Sequence, residues 1–139
     1  MTEEDKKLLF KDLSARLPYG VKCVSGVDDA TLIIEGINPN CNGASEVQVT
    51  YERSGINFDT KISSIKPYLF PLSSMTEEHR KELEELHFGY MPDEIFNDIE
   101  FVYHYDCINL INWCYKNHLD INDFIPRGLA IDATGLNIY

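Results

Sequence analysis

Four side chains toward the end of the chain are of the types from which metal sites and nucleophiles are built: His104, Cys107, Cys114 and His118. On one continuous helix, at 100° per residue, they fall within an arc of about 80°. Two imidazoles and two thiols on one face invite zinc. The spacing refuses it, because fourteen residues separate His104 from His118, about 21 Å along a helix axis, whereas zinc ligands all lie about 2.0–2.3 Å from one ion. Two half-sites remain, His104 with Cys107 and Cys114 with His118, and each needs ligands from elsewhere. Ile108, Ile111 and Tyr115 share the face and mark it as core-directed. No metal and no cofactor is expected.

Cys107 with His104 is the nucleophilic version of the same idea. A thiol attacks as thiolate, held by a neighbouring imidazole or an exposed helix N-terminus, and His104 stands one turn before Cys107. No flanking cysteine-hydrolase motif accompanies the pair, so a packed thiol is the expectation and a small enzyme using Cys107 with His104 or His118 the alternative. Cys23, Cys41, Cys107 and Cys114 include no C-x-x-C and read as reduced, inert thiols. The glycines form no phosphate loop, and no G-x-S-x-G occurs. Asp120, Asn122 and Asp123 lack a calcium-loop spacing and read as turn formers or caps.

The charge is lopsided. The chain of 139 residues carries a formal net charge of −11. Residues 1–66 hold eight Lys/Arg against ten Asp/Glu, and residues 67–139 hold four against thirteen. Such a surface repels phosphate backbones, which disfavours nucleic acid and favours basic protein partners or plain solubility. The candidate surface is Glu77, Glu78, Glu82, Glu85, Asp93, Glu94 and Asp98. No run approaches the ~20 apolar residues of a membrane span. The acidic start Met1-Thr2-Glu3-Glu4-Asp5 is unlike a secretory signal, so the cytoplasm is the expected compartment.

The elements that would position these groups belong to an α+β fold: an N-terminal helix, a small antiparallel sheet of four or five strands that could curl toward a barrel, then two or three helices packed on it. One domain over 1–139 is expected, sheet-rich at about 18–66 and helical at about 73–125. Thr2 caps a helix to Leu17 with Leu9, Phe10, Leu13 and Leu17 at helical spacing. Residues 21–24 and 31–35 read as a hairpin around Gly26-Val27-Asp28-Asp29, residues 46–51 as a half-buried strand, and 59–65 as a fourth. Asn38 to Gly43 reads as an exposed loop. Pro67 and Pro71 argue against a central strand, so 66–72 is expected to bridge across the surface. Ser74-Met75-Thr76-Glu77 has the form of a capping box, opening a helix to about His87. A further helix is expected over 103–118, and an extended segment over 127–131.

Two stretches carry a family likeness. The run from Ile65-Lys66-Pro67-Tyr68-Leu69-Phe70-Pro71-Leu72 to Thr76-Glu77-Glu78 resembles a segment of small uncharacterised proteins of phages and mobile elements in Bacteroides-type gut bacteria. Asn112-Trp113, Asn117-His118-Leu119-Asp120 and Ile125-Pro126-Arg127-Gly128-Leu129-Ala130 resemble the tail of the same family. The likeness covers roughly half the chain. It implies a phage or mobile-element setting, with a non-catalytic interaction protein or a minor virion component as the roles to weigh, and carries over no catalytic residue.

Overall fold

The computed structural model describes residues 1–38, 46–85 and 105–139, the side chains of the last helix from Ile108 onward. The fold is α+β, built on an open mixed sheet. Helix α1 (Glu3–Arg16) opens on a capping box in which the Thr2 hydroxyl accepts from Asp5 N–H and the Asp5 carboxylate accepts from Thr2 N–H. Asp5 also pairs with Arg127, tying this end of the helix to the loop near the end of the chain. A short 3-10 turn at Leu17–Tyr19 follows, and Gly20 closes it at φ +70°, a left-handed conformation in which glycine bears no Cβ penalty.

The sheet begins with strands β1 (Lys22–Ser25), β2 (Thr31–Ile37), β3 (Val47–Tyr51) and β4 (Asn57–Thr60), each antiparallel to the next. Alternation places Cys23, Leu32, Ile34, Val47 and Val49 on one face, where Leu9, Phe10 and Leu13 of α1 cover them. This is the main core.

Strand β5 (Ile65–Pro71) departs from expectation. It runs inside the sheet rather than across the surface, antiparallel to β1 and parallel to two short strands, β6 (Leu119–Asp120) and β7 (Ile131–Asp132). The proline objection fails for a geometric reason. Gly26 N–H donates to Ser64 C=O at 2.8 Å, and bonded positions alternate along an antiparallel pair, so the Pro67 nitrogen faces away from β1, where no N–H is called for. Parallel partners also correct the purely antiparallel expectation. The connection from β5 to β6 is a long crossover containing helices, which is what a parallel pairing requires. The order β4-β3-β2-β1-β5-β6 leaves the sheet open, not a barrel.

Helices α2 (Glu77–Glu85) and α3 (Tyr105–Lys116) lie on that crossover. Leu83 of α2 and Leu110, Trp113 and Cys114 of α3 form a second apolar cluster with Leu119, flanked by Phe70, Leu72 and Met75. Ile108, expected on the buried face, is 60% exposed. The face that packs is the i, i+3, i+4 set Leu110-Trp113-Cys114 instead. Residues 127–130 form turns, and extended backbone begins only at Ile131. The expected loop at 39–43 and the segment 86–104 fall outside the described residues.

Candidate functional site

The Cys/His cluster does not assemble as one helical face. Asn117 and His118 donate backbone bonds to Trp113 and Tyr115 at 3.1 Å, and His118 then turns to φ +55°, the left-handed residue that ends α3. His118 therefore belongs to the junction with β6, not to the helix. Its carbonyl accepts from Phe70 N–H at 2.9 Å, and its ring lies on Tyr139 with centroids 3.7 Å apart and an interplanar angle of 11°. Burial, with the charges of Arg16 and Lys22, pushes its pKa down to about 4.

Cys114 is fully buried, and burial pushes its thiol up to about 12, as it does for Cys23. Neither thiol supplies a thiolate near neutral pH. Among the described residues no three His, Cys, Asp or Glu side chains converge so as to hold a metal ion. His104 and the side chain of Cys107 lie outside the described residues, and so do Asp93, Glu94 and Asp98.

The acidic surface is described for α2. Glu77, Glu78, Glu84 and Glu85 are exposed, Glu82 is partly so, and Leu83 alone is buried. Five carboxylates thus share nine residues with two basic side chains, Arg80 and Lys81. The cap differs from the expected one. The Thr76 hydroxyl accepts from His79 N–H at 3.2 Å and the His79 imidazole accepts from Thr76 N–H at 3.3 Å, while Ser74 donates to Pro71 C=O in the preceding turn. The box is shifted by two residues because Leu72–Ser74 folds as a 3-10 turn first.

Compared with family models, with curated proteins and with solved structures, the chain matches none.

A polar centre unforeseen in the sequence joins the two apolar clusters. Arg16 is fully enclosed and forms a two-bond pair with Asp12, Nε to Oδ2 at 2.6 Å and Nη2 to Oδ1 at 3.1 Å. Its Nη2 also donates to Leu119 C=O at 2.7 Å, Asn122 donates to Asp12 at 2.9 Å, and the Tyr115 ring lies 4.7 Å from the guanidinium. A signal for it was present: Asp12 and Arg16 are spaced i, i+4 on the same stripe as Leu9 and Leu13. Charged residues on the apolar stripe of a helix are buried or partnered. Nearby, the buried Asp120 carboxylate accepts from Phe124 N–H at 2.9 Å and Ile125 N–H at 2.8 Å, which makes it a loop cap.

Proposed function

We propose that this chain is a non-catalytic protein-interaction module of a phage or mobile element, working in the bacterial cytoplasm and meeting a basic protein partner through its acidic C-terminal half. The observation that carries the reading is the one-sided burial of α2, which anchors through Leu83 and turns four glutamates to solvent. Opposite charge across such a surface accelerates encounter and selects partners more than it adds affinity. The enclosed, high-pKa thiols of Cys23 and Cys114 offer no competing chemistry. No helix among the described residues is long and apolar enough to cross a membrane.

The test is capture of host and phage proteins on the immobilised chain, beside a variant carrying Glu77→Lys, Glu78→Lys, Glu84→Lys and Glu85→Lys. Basic proteins retained in low salt should be released near 1 M salt, where the screening length falls to about 3 Å, and should not be held by the variant. Equal capture by both, or capture indifferent to salt, would remove the reading. The enzymatic alternative now rests on Cys107 with His104, and a Cys107 thiol pKa at or above its ordinary value of about 8.5 would exclude it.

A further inference from the structure

The ladder between β1 and β5 contains a side chain where a backbone bond belongs. The strands pair in the register Ser25↔Ile65, Val24↔Lys66 and Cys23↔Pro67. Gly26 N–H bonds to Ser64 C=O, so the bonded positions are Gly26/Ser64, Val24/Lys66 and, next, Lys22/Tyr68. At that third position the Tyr139 hydroxyl stands between the strands. It accepts from Lys22 N–H at 3.1 Å and donates to Tyr68 C=O at 2.8 Å. One phenol does both at once, since it has one proton and two lone pairs.

The rest of the ring is held as closely. Its face lies on the His118 imidazole at 3.7 Å, Lys22 Nζ stands 5.9 Å from its centroid, and the same ammonium donates to Ile138 C=O at 2.7 Å. The tail arrives from the other edge of β5. Ala133 N–H bonds Leu69 C=O at 2.8 Å, and Leu69 and Tyr68 present their carbonyls to opposite sides of the strand. Residues 133–139 therefore strap across β5 and deliver one ring into a gap on the far side. Tyr139 as a whole keeps 40% of its surface exposed, but its hydroxyl end lies between the strands, where burial pushes it up to about 12, so it keeps the proton that Tyr68 receives.

We propose that this gap is a phenol-binding slot, occupied by Tyr139 as an internal ligand and open to a para-substituted phenol from outside when Tyr139 is withdrawn. The specificity follows from the lining. A main-chain donor and a main-chain acceptor converge on one hydroxyl, with an imidazole plate and an ammonium for the ring. An aromatic ring without the hydroxyl leaves Lys22 N–H and Tyr68 C=O unmatched, and an aliphatic alcohol has nothing to lay on His118. Such a phenol could be a small molecule or the tyrosine of another protein.

The experiment uses the full chain carrying Tyr139→Ala, titrated with p-cresol, N-acetyl-tyrosinamide and toluene, and read by thermal midpoint and by the NMR shifts of the His118 ring. p-Cresol should raise the midpoint saturably and move the His118 resonances, with toluene at least about tenfold weaker, as the loss of a matched hydrogen bond at both backbone groups requires. Binding of N-acetyl-tyrosinamide as well assigns the slot to tyrosine side chains, and binding of p-cresol alone assigns it to free phenols. No saturable effect at His118, or toluene as effective as p-cresol, overturns the proposal. Should Tyr139→Ala fail to fold, Tyr139→Phe keeps the ring and removes only the hydroxyl. The Lys22 amide should then exchange about tenfold faster, and an unchanged rate would equally overturn it.

Discussion

Arg16 is a cation shut away from water, and its neighbourhood sets the residue-scale energetics. Removing one member of a buried ion pair strands the other, which costs about 3–5 kcal/mol, whereas replacing both by apolar groups of similar size is often neutral. Asp12→Ala should therefore lower the free energy of unfolding by about 3–5 kcal/mol in urea titrations, and Asp12→Leu with Arg16→Met should recover most of that loss. His118 adds a pH dependence of definite sign. Its folded pKa, about 4, lies below its ordinary value of 6.5, so the unfolded chain takes up the proton first. The contribution of this group is present above pH 6.5, falls away as the pH drops from 6.5 to 4, and is flat below that. At about 1.4 kcal/mol per pKa unit the total is on the order of 3 kcal/mol. Unfolding titrations of the wild type and of His118→Gln at pH 7.5 and pH 4.5 should converge by about that amount, and parallel curves would contradict the shift.

At the scale of elements, α2 shows how a sound helix prediction can carry the wrong cap. The S-x-x-E pattern at Ser74 and the T-x-x-H pattern at Thr76 overlap, and the choice was made by the 3-10 turn at Leu72–Ser74, which engages Ser74 with Pro71 C=O. Thr76→Ala should cost about 1 kcal/mol, and Ser74→Ala clearly less, in paired thermal or urea unfolding. The prolines of β5 teach the same lesson. Pro67 is incompatible with one edge of a strand and harmless at the other, and only the register with β1 says which edge is in question. The final turn of α3 was hidden for a related reason: nothing local marked His118, rather than Lys116 or Asn117, as the residue that enters the left-handed region.

Over the whole molecule, two apolar clusters share one sheet, the larger between α1 and β1–β5 and the smaller among α2, α3 and β6. Among the described residues, the first encloses Cys23 and the second Cys114. Alkylation with iodoacetamide at pH 8, read by mass spectrometry of peptides, should leave Cys23 and Cys114 unmodified in the native chain and modify both in denaturant. Labelling of Cys114 without unfolding would show that the second cluster opens independently of the sheet. The N-terminal helix, the hairpin of β1 and β2 and strand β3 were all legible in the sequence. The membership of β5 in the sheet and its two parallel partners were not, and of the buried Arg16 centre only the Asp12–Arg16 spacing on the apolar stripe was.

The sequence by itself determined the features that follow from neighbours along the chain: the Thr2 cap and apolar stripe of α1, the alternation of residues 46–51, the Asp120 loop cap and the concentration of negative charge after residue 67. Their causes are local, namely side-chain period, capping chemistry and charge density. Only the tertiary structure decided where β5 lies, which face of α3 is buried, where its last turn ends, and that Arg16 meets the carbonyl of Leu119, and Asp12 meets Asn122, across more than one hundred positions of sequence. Those outcomes depend on pairing register and on the meeting of distant segments. Helical and strand periodicity specify a direction for each side chain but not the partner it finds there.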